Sequence, residues 1–132
     1  MPAIALAQEK PALVLEPTER APARARRYLT ERFAELGHAD DYIGRLVVTE
    51  LVTNSYRHVG FGQIVVRILP DPHEPLTLIE VYDEGPGLPV VGSEDHDAIG
   101  GRGLLLMARL VHDWGVRLLN EGGKITWARC AR

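Results

Sequence analysis

A chain of 132 residues has the size of one ordinary domain, and 45% hydrophobic with 25% charged residues gives enough apolar material for a packed core without staples. A formal net charge of −3 argues against a nucleic-acid or membrane-surface binder, which would carry a basic stripe. The single cysteine, Cys130, excludes an intrachain disulfide and suits a reducing compartment, and no run reaches the ~20 apolar residues of a membrane span, so a cytoplasmic location is expected.

In chain order, residues 1–11 read as a loose N-terminus and 12–132 as one domain. Ala12 to Leu15 is a short apolar run suited to an edge strand. A helix starts near Pro17-Thr18-Glu19, with Pro22 tolerated in its first turn. Ala25, Tyr28, Leu29, Phe33 and Leu36 follow helical spacing, and Gly37 ends the run. Arg20, Arg24, Arg26 and Arg27 fall around this helix as a solvated face. Asp40 and Asp41 favour the start of a second helix that runs to His58. The period then changes to two. Gln63–Leu69 and Leu76–Tyr82 pair as a hairpin around a proline-rich turn. A helix follows from Gly103 to about His112, then a last hairpin of Val116–Leu119 and Ile125–Cys130. The expected fold class is α/β (α+β): a two-layer sandwich with a mainly antiparallel, mixed sheet and the helices on one face.

Three features place polar groups where a core or a turn is expected. The second helix has an apolar stripe centred on Ile43, Val47 and Leu51, and Glu50 and Asn54 project into it. They stand at i and i+4, so both address one spot, and an unpaired carboxylate there would cost several kcal/mol. Either a wet or charged ligand lies beside the helix, or the two close a buried structural network. The second feature is Asp83-Glu84-Gly85-Pro86-Gly87, where Asp83 continues the Ile79/Val81 face of its strand and the glycines permit close approach. An ordinary Asp-Gly turn has the same letters. The third is Gly100-Gly101-Arg102-Gly103 ahead of a helix, which suits either a phosphate seat or a plain cap.

Together these segments resemble the N, G1 and G2 boxes of the GHKL ATPase superfamily, the Bergerat-fold nucleotide binders. Glu50-Leu51-Val52-Thr53-Asn54-Ser55-Tyr56-Arg57-His58, and Gly101-Arg102-Gly103-Leu104 followed by Asp113-Trp114-Gly115-Val116, resemble in particular the anti-sigma-factor serine-protein kinases of actinobacterial type. The resemblance spans residues 12 to 130. It implies ATP and Mg²⁺ as cofactors, with Asn54 coordinating Mg²⁺ and Glu50 as general base. It also implies that Asp83 accepts a hydrogen bond from the adenine amino group and that Gly85 and Gly87 let the loop close over the base. Gly101, Arg102 and Gly103 would meet the phosphates, and Arg57 either reaches a phosphate oxygen or is a surface arginine. His58 is expected to pack.

Two departures stand out. Relatives place a threonine, water-linked to adenine, in the last strand; aligned on Trp127 that position is Ile125, and Thr126 is expected on the other face. The lid from Leu88 to Gly100 is short. The implied function is a kinase switch that binds a sigma factor and phosphorylates a STAS-type anti-anti-sigma partner on serine. The alternatives are an ATP-binding interaction module without phosphotransfer and a detached ATP-binding domain of a histidine-kinase system. Homodimerisation through Leu76, Leu78 and Tyr82 is a further expectation; neither nucleic acid nor membrane is an expected partner.

Overall fold

The computed structural model describes residues 11–86 and 98–132, except for the side chains of 98–103. Its elements are β1 (Leu13–Leu15), α1 (Ala21–Glu35), α2 (Tyr42–His58), β2 (Ile64–Pro70), β3 (Leu76–Asp83), α3 (Ala98–Leu110), β4 (Asp113–Leu118) and β5 (Lys124–Ala131). The strands form one five-stranded sheet in the order β1-β2-β3-β5-β4. Every pairing among the described residues is antiparallel. β3 therefore sits at the centre, and its C-terminal end at Asp83 lies opposite Lys124 of β5.

The helices follow from sequence periodicity. α1 buries Ala21, Ala25, Leu29 and Phe33 at four-residue spacing. It ends in a Schellman arrangement, with His38 N donating to Phe33 O at 3.0 Å and Gly37 N to Ala34 O at 3.1 Å. Gly37 takes φ 81°, the left-handed conformation that this motif requires. α2 packs between α1 and α3 and over β3 and β5. One core joins the three helices to the inner face of the sheet, with Val47, Val48, Leu51, Val52, Ile68, Ile79, Leu104, Met107 and Ala128 almost fully buried.

The buried stripe of α2 differs from the expected one. Gly44, Val48, Val52 and Ser55 are buried along with Val47 and Leu51, whereas Ile43 is 37% exposed. The valines widen the apolar face on the side away from Ile43 and turn its centre toward Val48 and Leu51. Glu50 and Asn54 therefore stand on the flank of the packed face and not at its middle, with Asn54 facing a cleft and Glu50 one turn away from it.

α3 begins at Ala98, five residues before the expected start, so Gly100, Gly101, Arg102 and Gly103 lie inside the helix. Glycine lowers helix propensity by up to about 1 kcal/mol relative to alanine but leaves helical dihedrals open. Burial of Leu104 and Met107 holds this helix on α2. No described helix is long and apolar enough to cross a membrane. Cys130 packs in the core, and burial pushes its thiol up to about 11, as for an inert structural cysteine.

The outer face of the sheet carries charge as well as apolar surface. Glu80 accepts from Arg67 Nε at 2.9 Å and lies 3.8 Å from Arg117. Leu78 and Tyr82 are half-buried there, and Leu76 is buried.

Candidate functional site

The end of β3 is built around one carboxylate. Asp83 is 2% exposed and hydrogen-bonded on both oxygens. Ser55 Oγ donates to Oδ2 at 2.6 Å, which ties α2 to the strand. Gly85 N and Lys124 Nζ donate to Oδ1 at 3.0 and 2.9 Å. Alternation along β3 puts Asp83 on the inner face with Thr77, Ile79 and Val81, as the sequence indicates.

Above this floor opens a cleft of about 220 Å³. Its polar lining comes from Asn54, Ser55, His58, Asp83, Lys124 and Thr126, and its apolar walls from Leu51, Val59, Phe61 and Pro86. Such a mixture of flat apolar walls with a few convergent polar groups is the usual make-up of a small-molecule site. Asn54 is 9% exposed, and its Nδ2 has no hydrogen-bond partner among the described residues. A buried amide left short of a partner beside a cleft marks where a ligand polar group belongs.

Gly85 is required by close approach. A Cβ there would lie 2.4 Å from Val59 Cγ2, at the C-terminal end of α2. Gly85→Ala should therefore push α2 and the loop apart, at a cost of about 1–3 kcal/mol. A denaturant titration beside a ligand-binding assay checks both stability and the cleft.

Glu50 lies one helical turn from Asn54, outside the cleft lining, and is half-buried. Burial raises its carboxyl pKa above the ordinary 4.5, and the positive charge of Arg57 opposes that rise. Arg57 itself is exposed. His58, expected to pack, is instead exposed at the mouth of the cleft. Gly87 and the lid from Leu88 to Asp97 lie outside the described residues. Gly101, Arg102 and Gly103 belong to α3.

The threonine expectation is corrected. Ile125 is on the outer face, opposite Tyr82 and Arg117, while Thr126 is 6% exposed and lines the cleft. The inward register is set by Ala128 and Cys130 in the core, which puts Thr126 and Lys124 on the same side. Ser55 and Lys124 were missed by the sequence reading. Lys124 was detectable: counting back by two from the buried Ala128 brings a lysine to the inner face beside Asp83.

Among the described residues there is no cluster of three or more His, Cys, Asp or Glu able to hold a metal alone. Mg²⁺ commonly takes one or two protein ligands, with phosphate oxygens and waters filling the rest. At this cleft Asn54 is the residue whose amide oxygen could serve as such a ligand, while its unpartnered Nδ2 is a donor that would meet an anionic oxygen and not the metal.

Comparison with known proteins agrees with this geometry. The histidine kinase-like ATPase domain family matches residues 15–130. Among solved structures, the chain is similar to the crystal structure of the RsbU and RsbW domains of Rv1364c from Mycobacterium tuberculosis, at 20% identity and a TM-score of 0.58. That match covers 92% of this chain and 32% of the other, so the chain spans about a third of that protein's length. No curated protein sequence matches it significantly. With the family match covering nearly the whole fold and its cleft, the chain belongs to the histidine kinase-like ATPase domain family.

Proposed function

We propose that the chain is an Mg²⁺–ATP-dependent switch: an anti-sigma factor that phosphorylates a STAS-type anti-anti-sigma protein on serine. The observation that carries the ATP reading is the buried Asp83 carboxylate at the floor of an apolar-walled cleft whose lining also includes the under-bonded Asn54. In this reading the base sits against Asp83, between Leu51, Val59, Phe61 and Pro86, and the phosphates extend toward Asn54. Asn54 would hold Mg²⁺, which when bound neutralises charge on the phosphate oxygens. Gly101, Arg102 and Gly103 would meet the phosphates from the first turns of α3, with Gly87 completing the base loop. The similarity to a structure containing an RsbW domain supports a regulatory role of this kind.

Glu50 would accept the proton of the attacking serine hydroxyl. Its raised pKa suits a general base, which works best when its pKa lies close to the working pH. The base form requires deprotonation, so the acid limb of phosphotransfer should lie above the ordinary glutamate value of 4.5. Arg57→Met removes the charge that holds the pKa down and should move that limb to still higher pH. A pH–rate profile of both proteins checks the direction. The stability effect runs the opposite way: a raised carboxyl favours the fold below pH 4.5, and that contribution is lost as pH rises through the folded value.

Incubation with labelled Mg²⁺–ATP and a STAS-domain protein should yield phosphoserine on the partner. ATP binding without any transfer would remove the kinase activity and leave a nucleotide-responsive binding module.

A further inference from the structure

Lys124 has unspent hydrogen-bonding capacity at the floor of the cleft. Its side chain is 7% exposed, and its ammonium contacts Asp83 Oδ1 at 2.9 Å. An ammonium carries three donors, and among the described residues Asp83 is its hydrogen-bond partner. Asp83 in turn accepts from Gly85 and Lys124 on Oδ1 and from Ser55 on Oδ2. A carboxylate has about four lone-pair positions, so one remains, on Oδ2. The floor thus presents a free acceptor position beside unspent cationic donors, enclosed by Leu51, Val59 and Pro86. Buried donors without acceptors are costly, and a ligand atom that accepts from them is favoured accordingly.

We propose that Lys124 donates a hydrogen bond to an unprotonated ring nitrogen of the bound base, so that Asp83 and Lys124 read one heterocycle edge together. Asp83 takes the exocyclic amino group and Lys124 the neighbouring ring nitrogen, which is the N6/N1 edge of adenine. This rests on the reading of the cleft as a nucleotide site. It makes Lys124 a base-selecting residue, and it explains why a lysine occupies an inward position that otherwise calls for an apolar or hydroxyl side chain. Thr126, two residues along the same strand face, lines the same cleft.

The test compares ATP with 1-deaza-ATP, in which the N1 nitrogen is replaced by C–H, by calorimetric titration of the full chain and of Lys124→Met. The wild type should bind ATP about tenfold to a hundredfold more tightly than 1-deaza-ATP, as for loss of one charge-assisted hydrogen bond. Lys124→Met should bind ATP more weakly and lose that preference. Equal affinity of the wild type for the two nucleotides overturns the inference, and this holds even if Lys124→Met does not fold. A preference that survives in Lys124→Met overturns it as well. Tighter ATP binding by Lys124→Met would do the same, because it would mean that Lys124 competes with the base for Asp83. If the wild type binds ATP but shows one of these results, only the base-reading role falls; if it binds no ATP, the nucleotide site falls with it.

Discussion

Replacing Asp83 by asparagine should abolish nucleotide binding and lower stability by about 3 kcal/mol, the loss expected when one partner of a buried ion pair is removed. The side chains of both partners are nearly inaccessible, Asp83 at 3% and Lys124 at 7%. The amide keeps the shape of the carboxylate but offers one acceptor oxygen in place of two. Ser55, Gly85 and Lys124 then compete for it, and the ammonium is left as a buried charge without its counter-ion. For a domain of this size, ~3 kcal/mol corresponds to a fall in melting temperature of about 10 °C. Adding Lys124→Met to Asp83→Asn should restore much of the lost stability, because the uncompensated charge goes with it. It should not restore binding. Thermal melts of the two single variants and the double variant, each paired with an ATP titration, separate the structural role of the pair from its role toward ligand.

Glu50→Gln should have the opposite profile. Glu50 is half-buried and does not line the cleft around Asp83, so ATP affinity should stay close to that of the wild type. Phosphotransfer to a STAS-domain partner should fall by about 10²–10⁴-fold, the usual contribution of a positioned general base. Glutamine has nearly the same size and cannot take a proton, so a loss of transfer with binding intact reports the proton-accepting role. Undiminished transfer in Glu50→Gln would remove Glu50 from that role.

Much of the fold was legible because its signals are local. The period-two runs at 64–70 and 76–83, the proline-rich turn between them and the helix ending at His58 each follow from a few adjacent residues. Asp83 was placed correctly on the inner face for the same reason, since Ile79 and Val81 set the alternation. The failures are of a different kind. The centre of α2's buried face depends on how α1 and the sheet meet it, and Val48 and Val52 drew it away from Ile43. The start of α3 is decided by packing of Leu104 and Met107, which outweighs a glycine-rich turn. Thr126 was assigned to the wrong face because the strand was aligned on its aromatic residue, and Lys124 was passed over with it. The register that matters is the one Ala128 and Cys130 impose from the core. The Asp83–Lys124 contact joins residues 41 apart in sequence: the strand alternation gives the face of each, and the pairing of β3 with β5 brings them together.

The central claim is that the cleft between α2 and the ends of β3 and β5 holds ATP. A crystal structure of the chain with a non-hydrolysable ATP analogue and Mg²⁺ tests it most directly. The base should lie against Asp83 and Lys124, between Val59 and Pro86, with the phosphates directed past Asn54 toward Glu50. Nucleotide bound elsewhere on the surface, or an empty cleft at saturating analogue, would contradict the account.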